Sequence, residues 1–424
     1  MNRVVIIGNG FDLAHGLPTR YSDFIKWYWK GWNKRLKYGK TRIEEDEFCS
    51  FRLNDIIQLA GWYLVWNWQF NIHPSLKTDS IDYVNIAQND SSFCTYKEKS
   101  SFFSDICKSS KDKQWVDIET EYYDHIFLPK KSGSIKDLND QFEIVKRKLI
   151  SYLSEIQDKF IKDQFINSQL KAILFSSIKR NDIAISAYDK WKEFVDQRRG
   201  KEEAYWDQLL NDLRLNDESK IAAKSEIERF CHMFRVYNIP LPDYFTFPDR
   251  TLILNFNYTN LADLYIPKND RFIINHIHGQ LSDPNSIIFG YGDEIDKHYS
   301  ELTDKNDNEY LRHIKSYNYL MSSNYRNLLS FIESEPYQIF IMGHSCGISD
   351  RTMLNTLFEH PNCVSIKPYY HQITPDSDDY MNIVQNISRN FTDMKLMRDR
   401  VVNKTLCECL PQKDITAIQE QSSN

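Results

Sequence analysis

The feature that most constrains this chain is its first strand and turn, Val4-Val5-Ile6-Ile7-Gly8-Asn9-Gly10-Phe11-Asp12. Its β-favouring apolar residues follow one another without a polar face, so they predict a strand covered on both sides, as in a parallel sheet. Gly8 and Gly10 then end the strand in a tight turn, where a ligand or another backbone can approach unhindered by Cβ atoms. A helix opening straight after that turn predicts free amides at the positive end of a helix dipole, a combination that favours phosphate. The next glycine is Gly16, in Gly16-Leu17-Pro18-Thr19, and Leu13 stands where the dinucleotide fingerprint has a glycine. A plain strand-to-helix connection in an α/β domain accounts for the same residues.

After Pro248 the short apolar runs return. Thr251 to Phe256, Phe272 to Ile277, Ser286 to Phe289, Gln338 to Met342 and Val364 to Lys367 predict strands, and Asn306 to Ile332 and Arg351 to Glu359 predict helices. Each strand ends in polar residues or glycine, at the end where open parallel sheets bind ligands. Between the first strand and these lies a polar, charged stretch, about Thr41 to Asp249. It has helical spacing over Val145 to Phe165, Ala204 to Leu213 and Ile221 to Phe234, and loop composition over Ser75 to Lys113 and Lys130 to Leu138. The expected fold is therefore α/β: a parallel sheet with a large inserted helical domain. Residues 1–40 and 250–400 form the two parts of the core, 41–249 the insertion and 401–424 a tail.

At 424 residues the chain is long enough for two or three domains, and 41% hydrophobic with 26% charged residues is the composition of a soluble globular protein. A net charge of -6 gives no general attraction to nucleic acid or to an anionic membrane. The apolar start is too short for a secretory signal and no run reaches spanning length, which predicts a cytoplasmic protein. The 8 cysteines are scattered, fitting reduced thiols, and Cys407 and Cys409 have no second pair to complete a zinc site. Tyr21 to Lys40 mixes aromatic and basic residues. An amphipathic helix covering its tryptophans explains that run, and a surface stacking on RNA is the alternative.

Candidate chemistry gathers at the strand ends. Asn257 sits in Asn255-Phe256-Asn257-Tyr258-Thr259, where an asparagine can hold a ligand or cap its own turn. His276 and His278, in Asn275-His276-Ile277-His278-Gly279, would share one face of a strand, and an imidazole there can take a proton near neutrality. Gly343-His344-Ser345-Cys346-Gly347 satisfies G-x-S-x-G, so Ser345 raises a serine hydrolase; Asp350 and His371 follow too closely to complete one. In the insertion, Asp117, Glu121 and Asp124 would share a helix face as a cation or proton-transfer cluster or as a solvated stripe, with Glu119 turned elsewhere.

Taken in order, G-x-G followed by G-L-P, then Asn257-Tyr258, His278-Gly279 and Gly343-His344-Ser345 resemble the sirtuin (SIR2-like) pattern. The run Ile6-Ile7-Gly8-Asn9-Gly10-Phe11-Asp12-Leu13-Ala14-His15-Gly16-Leu17-Pro18-Thr19 and the stretch Trp115-Val116-Asp117-Ile118-Glu119 resemble the AbiH family of bacterial abortive-infection proteins. The resemblance implies a Rossmann-like core with NAD as substrate and cleavage of its nicotinamide-ribose bond. On this reading Asn257 holds the ribose and His278 is the base. Gly8, Asn9, Gly10, Phe11, Asp12, Gly16, Pro18, Gly279, Gly343, Ser345 and Asp350 line the nucleotide. Implied partners are a nucleotide ligand, a phage-derived trigger and further copies of the chain. Two positions depart from the sirtuin pattern: Asp12 replaces a serine and Thr259 an aspartate. The missing zinc module argues against deacetylation. A non-catalytic nucleotide sensor and an RNA-directed toxin stand as the other readings.

Overall fold

The first strand occupies the middle of a parallel sheet. In the computed structural model the described strands are β1 (Asn2–Ile7), β2 (Ile43–Glu45), β3 (Cys49–Leu53), β4 (Cys94–Glu98), β5 (Thr251–Asn255), β6 (Phe272–His276), β7 (Tyr337–Met342), β8 (Cys363–Tyr369) and the short pair β9 (Gln372–Thr374) and β10 (Ser377–Asp378). The structure describes residues 1–38, 43–53, 88, 94–113, 117–127, 133–160, 166–212, 219, 221–222, 224–225, 246–267, 269–291, 295 and 298–412. The chain divides into two compact units. The first comprises Met1–Gly16, Ile161–Ser286 and Tyr319–Asn424, and the second Leu17–Phe160 and Ile287–Asn318.

The first unit is built on a five-stranded parallel sheet in the order β6-β5-β1-β7-β8. Every residue of β1, β5, β7 and β8 is buried, which is why these strands read as unbroken apolar runs rather than alternating ones. Register sets where the strands end. Ile7 pairs with Asn255 and with Met342, Asn255 with His276, and Met342 with Tyr369, so the strands finish level. Residues just beyond them are delivered to one edge. The chain runs from β1 to β5 and β6 on one side, then crosses to β7 on the other, so the order reverses between β1 and β7.

The second unit holds an antiparallel sheet, β2-β3-β4, and the helices Tyr21–Tyr38, Ser101–Lys113, Ile118–Phe127 and Ile135–Phe160. Phe48 and Phe103 stack at 4.0 Å. Asp46 collects Tyr28 Oη (3.0 Å), Trp32 Nε1 (3.2 Å) and Arg35 (3.3 Å). The aromatic and basic run thus builds a core and its polar border, with Trp32 fully buried. Among the described residues no helix is long and apolar enough to cross a membrane.

Four expectations are corrected. Ser286 to Phe289 forms no strand; Phe289 is buried by stacking on Phe142 at 4.7 Å, so aromatic packing rather than pairing explains its apolar character. Asn306 to Ile332 is not one helix but a series of short turns before the helix Asn324–Ser334. The loop expected to end at Lys113 contains β4 and the helix Ser101–Lys113, and the loop expected to end at Leu138 gives way to helix at Ile135. Most of Ile221 to Phe234 lies outside the described residues, as do Lys40, Trp115 and Val116.

Candidate functional site

The glycine turn after β1 packs against the turn after β7. Gly8 N–H donates to the Met342 carbonyl (3.3 Å), Gly10 N–H to the Gly343 carbonyl (2.7 Å) and Phe11 N–H to the Gly8 carbonyl (2.8 Å). These amides are therefore engaged, contrary to the expectation of free donors at the helix head, and that helix, Asn9–Ala14, is short. The glycines are required by the contact itself. A Cβ on Gly8 would lie 2.5 Å from His344 Cα, one on Gly10 2.7 Å from Gly343 Cα, and one on Gly343 2.1 Å from Phe11 N. Gly343 also has φ +74. Asn9 and Gly16 are exposed, Gly16 with φ +82 and open space around it. Pro18 belongs to the second unit, where its carbonyl accepts from Tyr152 Oη at 2.5 Å.

Asn257, just past β5, reaches back to the turn after β1. Its Nδ2 donates to the Gly8 carbonyl (3.0 Å) and to Asp12 Oδ1 (2.8 Å). A backbone carbonyl can only accept, so the amide orientation is fixed, and Oδ1 points away from both, with no described residue donating to it. Thr259 Oγ1 donates to Asp12 Oδ2 at 2.7 Å. Asp12 is 2% exposed, and burial pushes its carboxyl up to about 7 against the pull of the Thr259 and Asn257 hydrogen bonds. The two departures from the sirtuin pattern, Asp12 and Thr259, are thus bonded to each other.

His276 and His278 do not share a face. β6 ends at His276, which meets Asn255 Nδ2 (3.3 Å) and Asp263 Oδ2 (3.2 Å). The chain then turns, with Gly279 at φ +82, and sends the buried His278 elsewhere. Its Nε2 lies 3.1 Å from Tyr319 Oη and 3.3 Å from Asp350 Oδ1. His344, which sequence reading left unassigned, comes to the same carboxylate, with Nε2 3.6 Å from Asp350 Oδ2. The Phe256 ring sits against both imidazoles, 4.9 Å from His278 and 4.3 Å from His344. Asp12, Asn257, the Gly8 turn, His344, Asp350 and His278 therefore form one connected set at the carboxyl ends of β1, β5, β6 and β7. Only the spacing of His344 from Ser345 and Asp350 could have marked it in the sequence.

Ser345 is exposed on its turn, and its carbonyl accepts from Asn386 Nδ2 at 2.8 Å. Among the described residues no histidine hydrogen-bonds its hydroxyl, and His344 Nδ1 instead accepts from Cys346 N–H (3.0 Å). A nucleophile activated by histidine is not assembled there.

The acidic stretch of the second unit does not form a carboxylate cluster. Asp117 precedes its helix and caps it, accepting from Glu119 N–H (3.0 Å) and Thr120 N–H (3.2 Å). Glu121 accepts from Ser109 Oγ (3.1 Å), and Asp124 is exposed. Glu119 is the buried one. It takes Lys315 Nζ at 3.0 Å and Gly290 N–H at 3.2 Å, a structural ion pair. Among the described residues no group of three or more His, Cys, Asp or Glu could hold a metal ion. Gly292, Asp293 and Glu294 lie outside the described residues.

The family model for bacteriophage abortive infection AbiH matches residues 4–371. No curated protein and no solved structure matches the chain.

Proposed function

Since the chain belongs to the bacteriophage abortive infection AbiH family, we propose that it serves antiphage defence by hydrolysing NAD on a SIR2-like, Rossmann-like core that carries the helical region as an insertion. The reaction breaks the bond between C1′ of the ribose and the nicotinamide nitrogen. Nicotinamide leaves with the bonding pair as a neutral pyridine, water forms the new bond to C1′, and the proton that water loses passes to His278. Asn257 presents Oδ1 as an acceptor for a ribose hydroxyl, since both of its amide hydrogens are spent on Gly8 and Asp12. Gly8, Gly10 and Gly343 act by closing the floor between two strands rather than by offering amides to phosphate.

What supports this reading is an oriented asparagine just past β5 and a histidine beside a carboxylate just past β6, at the level ends of neighbouring parallel strands. A non-catalytic sensor needs no such pairing. The test is NAD content of bacteria expressing the chain during phage infection. It should collapse with the wild type and hold with His278→Ala, and equal collapse in both would overturn the assignment.

A further inference from the structure

Asp350 occupies the N-cap position of the helix Arg351–Glu359, where an aspartate ordinarily accepts from an amide of the first turn. Its side chain makes no cap hydrogen bond. The carboxylate is turned instead toward two imidazoles, Oδ1 to His278 Nε2 (3.3 Å) and Oδ2 to His344 Nε2 (3.6 Å). A second, independent feature fixes the ring form of His344. Cys346 adopts φ 53, rare for a residue with a side chain, in a tight turn where its N–H donates to His344 Nδ1 at 3.0 Å. An Nδ1 that accepts carries no proton, so the neutral His344 ring has its hydrogen on Nε2, facing Asp350. The turn is clamped from behind by Asn390 Nδ2 on the Cys346 carbonyl and Asn386 Nδ2 on the Ser345 carbonyl, both at 2.8 Å. Phe256 lies against both rings, and the carboxylate lies within 3.6 Å of each.

We infer that Asp350 is a positioning residue, not a nucleotide-binding one: it orients His278 through Nε2, and His344 locks the carboxylate from the other side. With the Asp350 carboxylate 3.3 Å from it, Nε2 of His278 holds the ring proton, shared with Tyr319 Oη at 3.1 Å, and the lone pair on Nδ1 takes the proton released by the attacking water. This role rests on the reading of His278 as the base. The His278 ring form does not, and can be measured without substrate.

The experiment is nitrogen-15 NMR of histidine-labelled full-length chain, comparing wild type with Asp350→Asn and His344→Asn. His344→Asn keeps an acceptor for Cys346 N–H and deletes only the arm toward Asp350, so it is the variant that preserves the turn. Circular dichroism checks the fold of each. Wild type should show His344 and His278 with protons on Nε2. Asp350→Asn should move the His278 ring signals, and His344→Asn should move them less. Unchanged His278 signals in both variants would overturn the inference. Nicotinamide release then separates the two readings. Wild type inert to NAD with the ring signals moving as described removes the hydrolase alone. Active wild type with Asp350→Asn within twofold in kcat removes the positioning role. The expected loss is about a hundredfold in kcat with KM little changed.

Discussion

Replacing Asp12 by asparagine should flatten the dependence of stability on pH. The wild-type carboxyl sits at about 7 in the folded chain against an ordinary 3.8, because burial penalises its charged form more than Asn257 and Thr259 favour it. The folded state therefore holds this proton where the unfolded state has already released it. Stability contributed by the protonated form is complete below about pH 4 and is lost as pH rises through about 7. A gap of about three pH units at about 1.4 kcal/mol each gives about 4 kcal/mol over the whole window, of which about 2.5 kcal/mol falls between pH 5 and pH 8. Asparagine has the same shape, can give its Nδ2 to Thr259 and its Oδ1 to Asn257, and does not titrate. Urea unfolding of both proteins at a series of pH values reads the difference directly. The variant should gain on the wild type as pH rises, by about 2.5 kcal/mol across that range. Parallel curves would mean instead that Asp12 is ionised in the folded chain throughout.

Four further outcomes are expected from the geometry. Gly10→Ala and Gly343→Ala should each cost about 3 kcal/mol or the soluble fold, because their Cβ atoms would enter backbone at 2.7 and 2.1 Å. Gly347→Ala, whose Cβ would meet only Ser345 Oγ at 3.6 Å, should melt like wild type. His313 is buried against Tyr122 and Phe142, and desolvation lowers it from 6.5 to about 4, so its neutral form stabilises the fold above about pH 6.5. About 3 kcal/mol should disappear as pH falls through that interval, and His313→Phe should remove this slope in the difference between the two unfolding curves. Glu119→Ala should cost about 1–3 kcal/mol in thermal unfolding by leaving the buried Gly290 amide without its acceptor.

Legible in advance was whatever the backbone makes periodic. β1, β5, β7 and β8 are covered on both faces, so their sequences are continuous apolar runs, and Gly8 and Gly343 mark where two chain segments nearly touch. Ser286 to Phe289 looks the same to that test, because an apolar run buried by an aromatic ring is indistinguishable from one buried in a sheet. Asp117 misleads for a related reason: a cap just before a helix keeps the helical spacing without lying on the helix. The pairing of Asp12 with Asn257 and Thr259 joins residues 245 and 247 positions apart, and nothing local announces it. His344 is subtler still. Its meaning depends on Cys346 bending back on it and on Asp350 abandoning its cap, both of which are facts of the folded backbone.

The most direct test of the central claim is nicotinamide release from NAD by the purified chain, with His278→Ala beside it and circular dichroism verifying both folds. One nicotinamide should be released per NAD consumed by the wild type, with a loss of about 10²–10⁴-fold in the variant. A wild type that leaves NAD intact, or a variant that cleaves it at the same rate, would contradict the claim.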